Sequence, residues 1–180
     1  MLEKEYGDRL AVEWKSFLLR PYASEKPLEK FRRYTQSWMI PAGQADAGDF
    51  RVWATDEPAP SHSVPPNVAV KAAARQGAFD TFHESIMRAY FQENRNVTDT
   101  TTILDIAAAC GLDCERFEAD LHDEVLLRSV LADHNEAMEL GITGVPTVLV
   151  DGQVPIPGAQ DLNFYRHIVE KRLAIAEGRK

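Results

Sequence analysis

Along the middle of the chain, apolar residues recur every three or four positions, the period of a helix with one buried face. Phe79, Phe82, Ile86, Met87, Tyr90 and Phe91 make the clearest run, with His83 inside it. The same period predicts a short helix over residues 28–39, carried by Leu28, Phe31, Arg32, Thr35, Trp38 and Met39. It predicts further helices over Val68–Gln76, over Thr101–Cys110, around Phe117 and Leu121, and from about Asp123 to Leu140. The punctuation agrees with the period. Pro65 and Pro66 fit a first helical turn, where a missing N–H costs nothing. Asp99 or Thr100 and Asp113 can cap helix starts, and Gly77, Gly111 and Gly141 suit helix ends.

Toward the two ends the pattern changes. Residues 1–6 read as the end of a helix, stopped at Gly7. Leu10–Leu19 is rich in β-formers and predicts a strand of about seven residues, with Val12, Trp14 and Ser16 on one face and Arg20-Pro21 ending it. Ile40–Pro60 is rich in Gly, Ala, Asp and Pro and predicts a loop, in which Arg51-Val52-Trp53 is the one apolar spot. After Gly141 the period shortens to two. Thr147–Val150 predicts a strand, Asp151-Gly152 a tight hairpin turn, and Gln153–Pro157 a short second strand. Pro155 and Pro157 cannot donate to a ladder, which points to an edge. Asp161 caps a final helix from Leu162 to about Ala176, with Phe164, Ile168, Leu173 and Ile175 as its apolar positions. Lys171, Arg172, Arg179 and Lys180 supply the charge that the helix dipole favours at that end.

Composition narrows the function classes. A chain of 180 residues with 44% hydrophobic and 27% charged residues can bury its own core without disulfides or a metal. The net charge of −8, with basic residues scattered, argues against nucleic acid as a partner. The acidic stretch from Asp113 to Glu139, with Arg116 and Arg128 its only basic residues, reads as solvated helix faces. There is no apolar run of membrane-span length and no signal-type leader, so no membrane partner and a cytoplasmic location are expected. No Gly-x-Ser-x-Gly, Gly-x-Gly-x-x-Gly, Walker or His-Glu-x-x-His pattern occurs, which leaves hydrolase, nucleotide and metalloprotease readings without support. His122, His134 and His167 read as surface residues, and His62 as a residue near a groove. Trp14, Phe17, Trp38 and Trp53 read as core or groove wall. Cys110 and Cys114 do not make a zinc quartet, and no metal is expected.

The candidate chemistry lies in Gly141-Ile142-Thr143-Gly144-Val145-Pro146-Thr147. A Val-Pro bond just before a strand is a candidate cis peptide, because only proline makes that form accessible. It would leave the N–H and C=O of Val145 outside the sheet, free to pair with an extended peptide or a thiol-bearing ligand. A trans Pro146 merely opening an edge strand is the alternative. The whole pattern, Glu13–Pro21, a helical insert, Gly141–Thr147 and Val154–Gln160, resembles the DsbA-like thioredoxin family. It is most similar to the FrnE-type branch, related to the glutathione-dependent hydroxychromene-carboxylate isomerases and kappa-class glutathione transferases. The resemblance implies an α/β, thioredoxin-like domain over 1–27 and 141–180, with an inserted all-helical subdomain and its loop over 28–140. It also implies a cis Pro146, and substrate binding by Gly144, Val145, Pro146, Thr147, Gly158 and Gln160.

One family feature is missing from these residues. The resemblance implies a strand that delivers Cys-x-x-Cys to the N-terminus of the first helix, where the helix dipole makes a reactive thiolate. The strand, the cysteines and most of that helix do not occur here, so no catalytic residue is assigned and the chain by itself is expected to be inactive. Cys110-Gly-Leu-Asp-Cys114 has three intervening residues and lies in the insert. It reads as a buried small residue and a partly exposed helix start, or as a secondary redox pair. In the family the absent strand lies between Val12–Phe17 and Thr147–Val150. Its place is then taken by sequence upstream of Met1, by closure of the two strands, or by a second chain, and a homodimer is expected. Three functions stay open: a disulfide oxidoreductase or isomerase acting on a protein or small thiol substrate, a glutathione-dependent isomerase or transferase, and a non-catalytic binding module. No cofactor is expected except glutathione in the second.

Overall fold

Helices make up most of the chain, in a computed structural model that describes residues 2–43 and 48–178. Residues 44–47 of the expected loop, and Arg179 and Lys180 of the expected basic helix end, lie outside the described residues. In chain order the elements are α1 (Leu2–Tyr6), α2 (Leu28–Thr35), α3 (Met39–Ala42), α4 (Val64–Ala74), α5 (Phe79–Phe91), α6 (Thr100–Ala109), α7 (Cys114–Leu121), α8 (Glu124–Glu139), β1 (Thr147–Val150), β2 (Val154–Pro157) and α9 (Leu162–Ala176). A 3₁₀ turn follows α1 at Gly7–Arg9, and another joins α2 to α3 at Gln36–Trp38. Two compact units result: Met1–Phe17 with Asn135–Lys180, and Leu18–His134. The boundaries expected from the sequence fell at 27/28 and 140/141, whereas the division falls at 17/18 and 134/135, inside α8.

The helical unit is built on α4, whose Ala69, Ala72 and Ala73 are fully buried. These small side chains let α5, α6 and α7 approach closely. Phe82 and Ile86 of α5, Ile103 and Ile106 of α6, Phe117 of α7 and Leu126 and Val130 of α8 then fill one core, with Leu18. Burying a side chain such as Phe82 or Phe117 contributes about 2–3 kcal/mol. A second, aromatic cluster joins Phe31, Trp38 and Trp53 to Phe50, Tyr90 and Phe91. Trp53, which the sequence left as an isolated apolar spot in a loop, is one of its most buried members at 1% exposure. Its backbone N–H donates to Thr35 Oγ1 at 3.0 Å.

The other unit holds α1, the β1–β2 hairpin and α9. Asp161 caps α9 by accepting from Phe164 N at 2.9 Å. Side-chain bonds tie the pieces together: Arg166 Nε donates to Glu5 at 3.0 Å, Tyr6 Oη to Glu170 at 3.4 Å, and Arg172 pairs with Asp151 at the hairpin tip. β1 and β2 pair antiparallel, Thr147 opposite Pro157 and Val150 opposite Val154. Asp151 and Gly152 both have positive φ, +49° and +68°, and Gln153 N donates to Val150 O at 3.1 Å. That is the turn that the Asp-Gly pair announces.

The strand expected over Leu10–Leu19 is corrected. Among the described residues the sheet has two strands, and residues 10–18 carry no ladder. β propensity is only half of a strand, since the other half is a neighbour offering N–H and C=O groups in register. The expected face is corrected as well. Ser16 and Leu18 are buried, while Val12 and Trp14 are exposed.

Candidate functional site

The 141–147 turn begins where α8 is stopped. Gly141 takes φ +72°, Ile142 N donates to Ala137 O at 2.9 Å, and Gly141 N donates to Met138 O at 3.0 Å. This pair of bonds satisfies the last helical carbonyls and turns the chain sharply. Thr147 Oγ1 then donates to Gly144 O at 2.7 Å, closing the turn on itself. The Val145–Pro146 peptide bond is cis. Pro146 O accepts from Gly158 N at 2.9 Å, so the β1–β2 register continues one pair beyond the strands. Gly158 sits at φ +78°, and Gln160 Nε2 donates to Pro157 O at 3.2 Å.

Antiparallel pairing alternates between residues that exchange bonds and residues that do not. With Pro146 and Gly158 a bonded pair, Val148 with Ile156 and Val150 with Val154 continue the series. Thr147 and Leu149 therefore direct their backbone groups away from β2, and their partners across the ladder are Pro157 and Pro155. The outer edge of β2 is thus short of two N–H donors, a common protection against edge pairing. The outer edge of β1 keeps its donors and acceptors. Val145, half exposed, stands at the head of that edge.

A recess of about 440 Å³ is lined by residues 141–147 together with Pro155, Pro157 and Gly158. It gathers five of the six residues expected to bind substrate, Gly144, Val145, Pro146, Thr147 and Gly158, while Gln160 braces its rim from outside the lining. No titratable side chain lines it. Its polar groups are backbone amides and the hydroxyls of Thr143 and Thr147. Such a surface can hold and orient a ligand, but it has no acid, base or nucleophile of its own.

The two cysteines belong to the other unit and are free thiols. Cys110 is half-buried. It packs against the core, and its Sγ lies 3.5 Å from Ser85 Oγ and 3.8 Å from Thr81 O. Cys114 is exposed at the start of α7, with Sγ 3.6 Å from Leu112 O. Among the described residues, no group of three or more His, Cys, Asp or Glu side chains could hold a metal ion, and no helix is long and apolar enough to cross a membrane. His122 and His167 are exposed as expected. His134 is corrected: it is half-buried in α8, and its Nδ1 accepts from Leu18 N at 3.3 Å. His83 stacks on Phe79, and burial pushes its pKa down from the ordinary imidazole range.

The model of the DSBA-like thioredoxin domain matches residues 2–170. The chain belongs to this family. As a DSBA-like domain it is 28% identical over 133 residues to the ClpXP adapter protein SpxH of Bacillus subtilis, a match covering 69% of this chain and 44% of that protein. The chain therefore spans less than half the length of that curated relative. Its fold is shared with a Nitrosomonas europaea structure described as a protein disulfide isomerase, at TM-score 0.71 and 20% identity, covering 96% of this chain and 86% of the other. It is shared too with the cytosolic disulfide reductase DsbM of Pseudomonas aeruginosa, at TM-score 0.64 and 23% identity, covering 87% and 83%. The structure of DsbM with GSH aligns at TM-score 0.51 and 27% identity over 66% of this chain and 62% of that one. The DSBA-like domain is thus shown in sequence and in fold.

Proposed function

We propose that these residues form the substrate-holding part of a FrnE-type thiol-disulfide oxidoreductase acting in the cytoplasm. The observation that carries this reading is the exposed Val145, at the head of the β1 edge that faces away from β2 and beside an uncharged recess. An extended peptide, or the cysteinyl backbone of glutathione, adds to that edge by main-chain hydrogen bonds. Gly144, Val145, Pro146 and Thr147 fix its position, and Gly158 and Gln160 hold the turn from the β2 side. The attacking thiolate comes from sequence other than these 180 residues, which contain no Cys-x-x-Cys. It attacks one sulfur of the held disulfide; the S–S bond breaks, the second sulfur leaves as a thiolate, and a mixed disulfide remains. The name of the Pseudomonas reductase, and its structure with GSH, support both the compartment and a small thiol as one ligand.

Amide NMR on the chain, titrated with reduced glutathione and separately with an extended cysteine-containing peptide, tests the reading. The expected result is saturable shifts at Gly144, Val145, Thr147 and Gly158, weakened several-fold by Thr147→Val, which removes the bond that closes the turn. Absence of shifts there up to about 10 mM ligand would sink it. Insulin reduction by the chain alone is expected to be undetectable.

A second reading is a protein-binding adapter without thiol chemistry, favoured by the name of the Bacillus relative. Thiol-independent binding to purified ClpXP, unchanged by Thr147→Val, would favour it.

A further inference from the structure

The chain carries twenty arginines and lysines against 28 acidic residues. Nine arginines and lysines enter the salt bridges found among the described residues. In the helical unit, Arg20 and Lys26 enter none of them and lie on one clamped pair of segments. Arg20 acts as a clamp: Nη1 donates to Pro60 O at 2.7 Å, Nη2 to Ser24 O at 3.2 Å and to Ser24 Oγ at 3.1 Å. Its backbone completes the clamp, N donating to Ser63 Oγ at 3.1 Å and O accepting from Ser63 N at 2.8 Å. Ser24 N donates to Ser61 O at 3.2 Å, so the 20–26 and 60–63 segments are held side by side.

The clamp brings two more basic groups, Lys26 and His62, close enough to feel the guanidinium charge. Lys26 lays its ammonium over the rings of Tyr34 and Phe31, 4.5 and 5.6 Å from their centroids. His62 has its Nδ1 2.8 Å from Ser61 Oγ, which leaves Nε2 as the nitrogen for a ligand. Burial first, and the Arg20 charge second, push both pKa values down, and no carboxylate acts in the other direction. His62 also directly precedes Ser63, the N-cap of the eleven-residue α4, whose positive end adds to the same field. Arg20 and Lys26 are half-buried like charges that repel each other while His62 is kept neutral, and an anion among them favours a proton on His62 and relieves that repulsion. The cation–π contacts offset only part of it.

We propose that Lys26, His62 and Arg20 form an anion-binding site in the helical unit, taking the carboxylate or phosphate group of a small molecule. Lys26 Nζ and His62 Nε2 are the donors, Arg20 supplies charge while it holds the two segments, and the Tyr34 ring flanks the ligand. A net charge of −8 on the chain repels large polyanions, which favours a small occupant.

The test uses the whole chain in a buffer of constant ionic strength, with inorganic phosphate and succinate as separate probes. Calorimetry is expected to show saturable one-to-one binding of at least one probe, and the stronger of the two identifies the anion class. Lys26→Met keeps the apolar stem on Tyr34 and is expected to weaken binding about tenfold, the loss of one charge-assisted hydrogen bond. Lys30→Met, at an exposed position of α2, is expected to leave it unchanged. The saturable rise in thermal midpoint given by the probe in the parent chain should vanish in Lys26→Met. The NMR signal of His62 Hε1 should move with the same probe concentration dependence. Binding equal in Lys26→Met and Lys30→Met, or no saturation with either probe while the parent chain is folded, overturns the site.

Discussion

Thr35 shows how much a single hydroxyl can decide. Its side chain is completely buried, donates to Arg32 O at 2.9 Å and accepts from Trp53 N at 3.0 Å. Without that oxygen the Trp53 amide would be buried with no partner, and an unsatisfied buried donor costs about 1–3 kcal/mol. Thr35→Val, nearly the same shape, is therefore expected to lower unfolding free energy by about that amount in urea denaturation followed by tryptophan emission. Thr35→Ser should lose much less, and equal losses in the two would refute the hydrogen-bond account. Nothing in the local sequence marked Thr35 beyond its place on a helix face. Its partner lies eighteen positions away, across a segment whose composition reads only as loop.

Helix boundaries behaved differently, because their causes are local. Asp99 accepts from Thr102 N at 2.9 Å and Asp113 from Arg116 N at 3.1 Å, each three residues on. An aspartate ahead of a helical run needs no distant partner to act as a cap, so the sequence placed Asp113 and narrowed the start of α6 to Asp99 or Thr100. Asp99→Ala is expected to remove about 1 kcal/mol of stability, and Asp99→Asn to retain most of it, in the same urea assay. A drop shared by both variants would mean that charge, not capping, holds the start of α6. The hairpin was legible for the same reason, since Asp151-Gly152 supplies the two positive φ values that a tight turn requires. Residues 10–18 were not. Their period predicted a strand, but a ladder depends on a neighbour, and among the described residues β1 pairs with β2 alone.

For the molecule as a whole, burial sets how stability responds to pH. His62 and His83 both have pKa values pushed below the ordinary 6.5, mainly by desolvation. The unfolded chain then binds more protons than the folded one between the depressed values and about 6.5, so stability rises with pH across that window. The contribution is complete above the unfolded value and is lost as pH falls through the folded ones. In phosphate-free buffer the urea midpoint is expected to climb from about pH 5 to about pH 7, with a shallower climb in His83→Gln. A flat or falling profile, or one unaltered in His83→Gln, would show that other groups control it.

The sequence by itself determined the family, the helical insert, the caps and the turn that carries Val145 and Pro146, because each rests on short-range periodicity or on residue types tied to one backbone conformation. Tertiary structure alone decided which loop residues are core, that His134 is bonded to Leu18 rather than free at the surface, and that Arg20 gathers Lys26 and His62. Those outcomes depend on segments from eighteen to more than a hundred positions apart meeting in one low-dielectric place, and no local pattern encodes which groups will meet there.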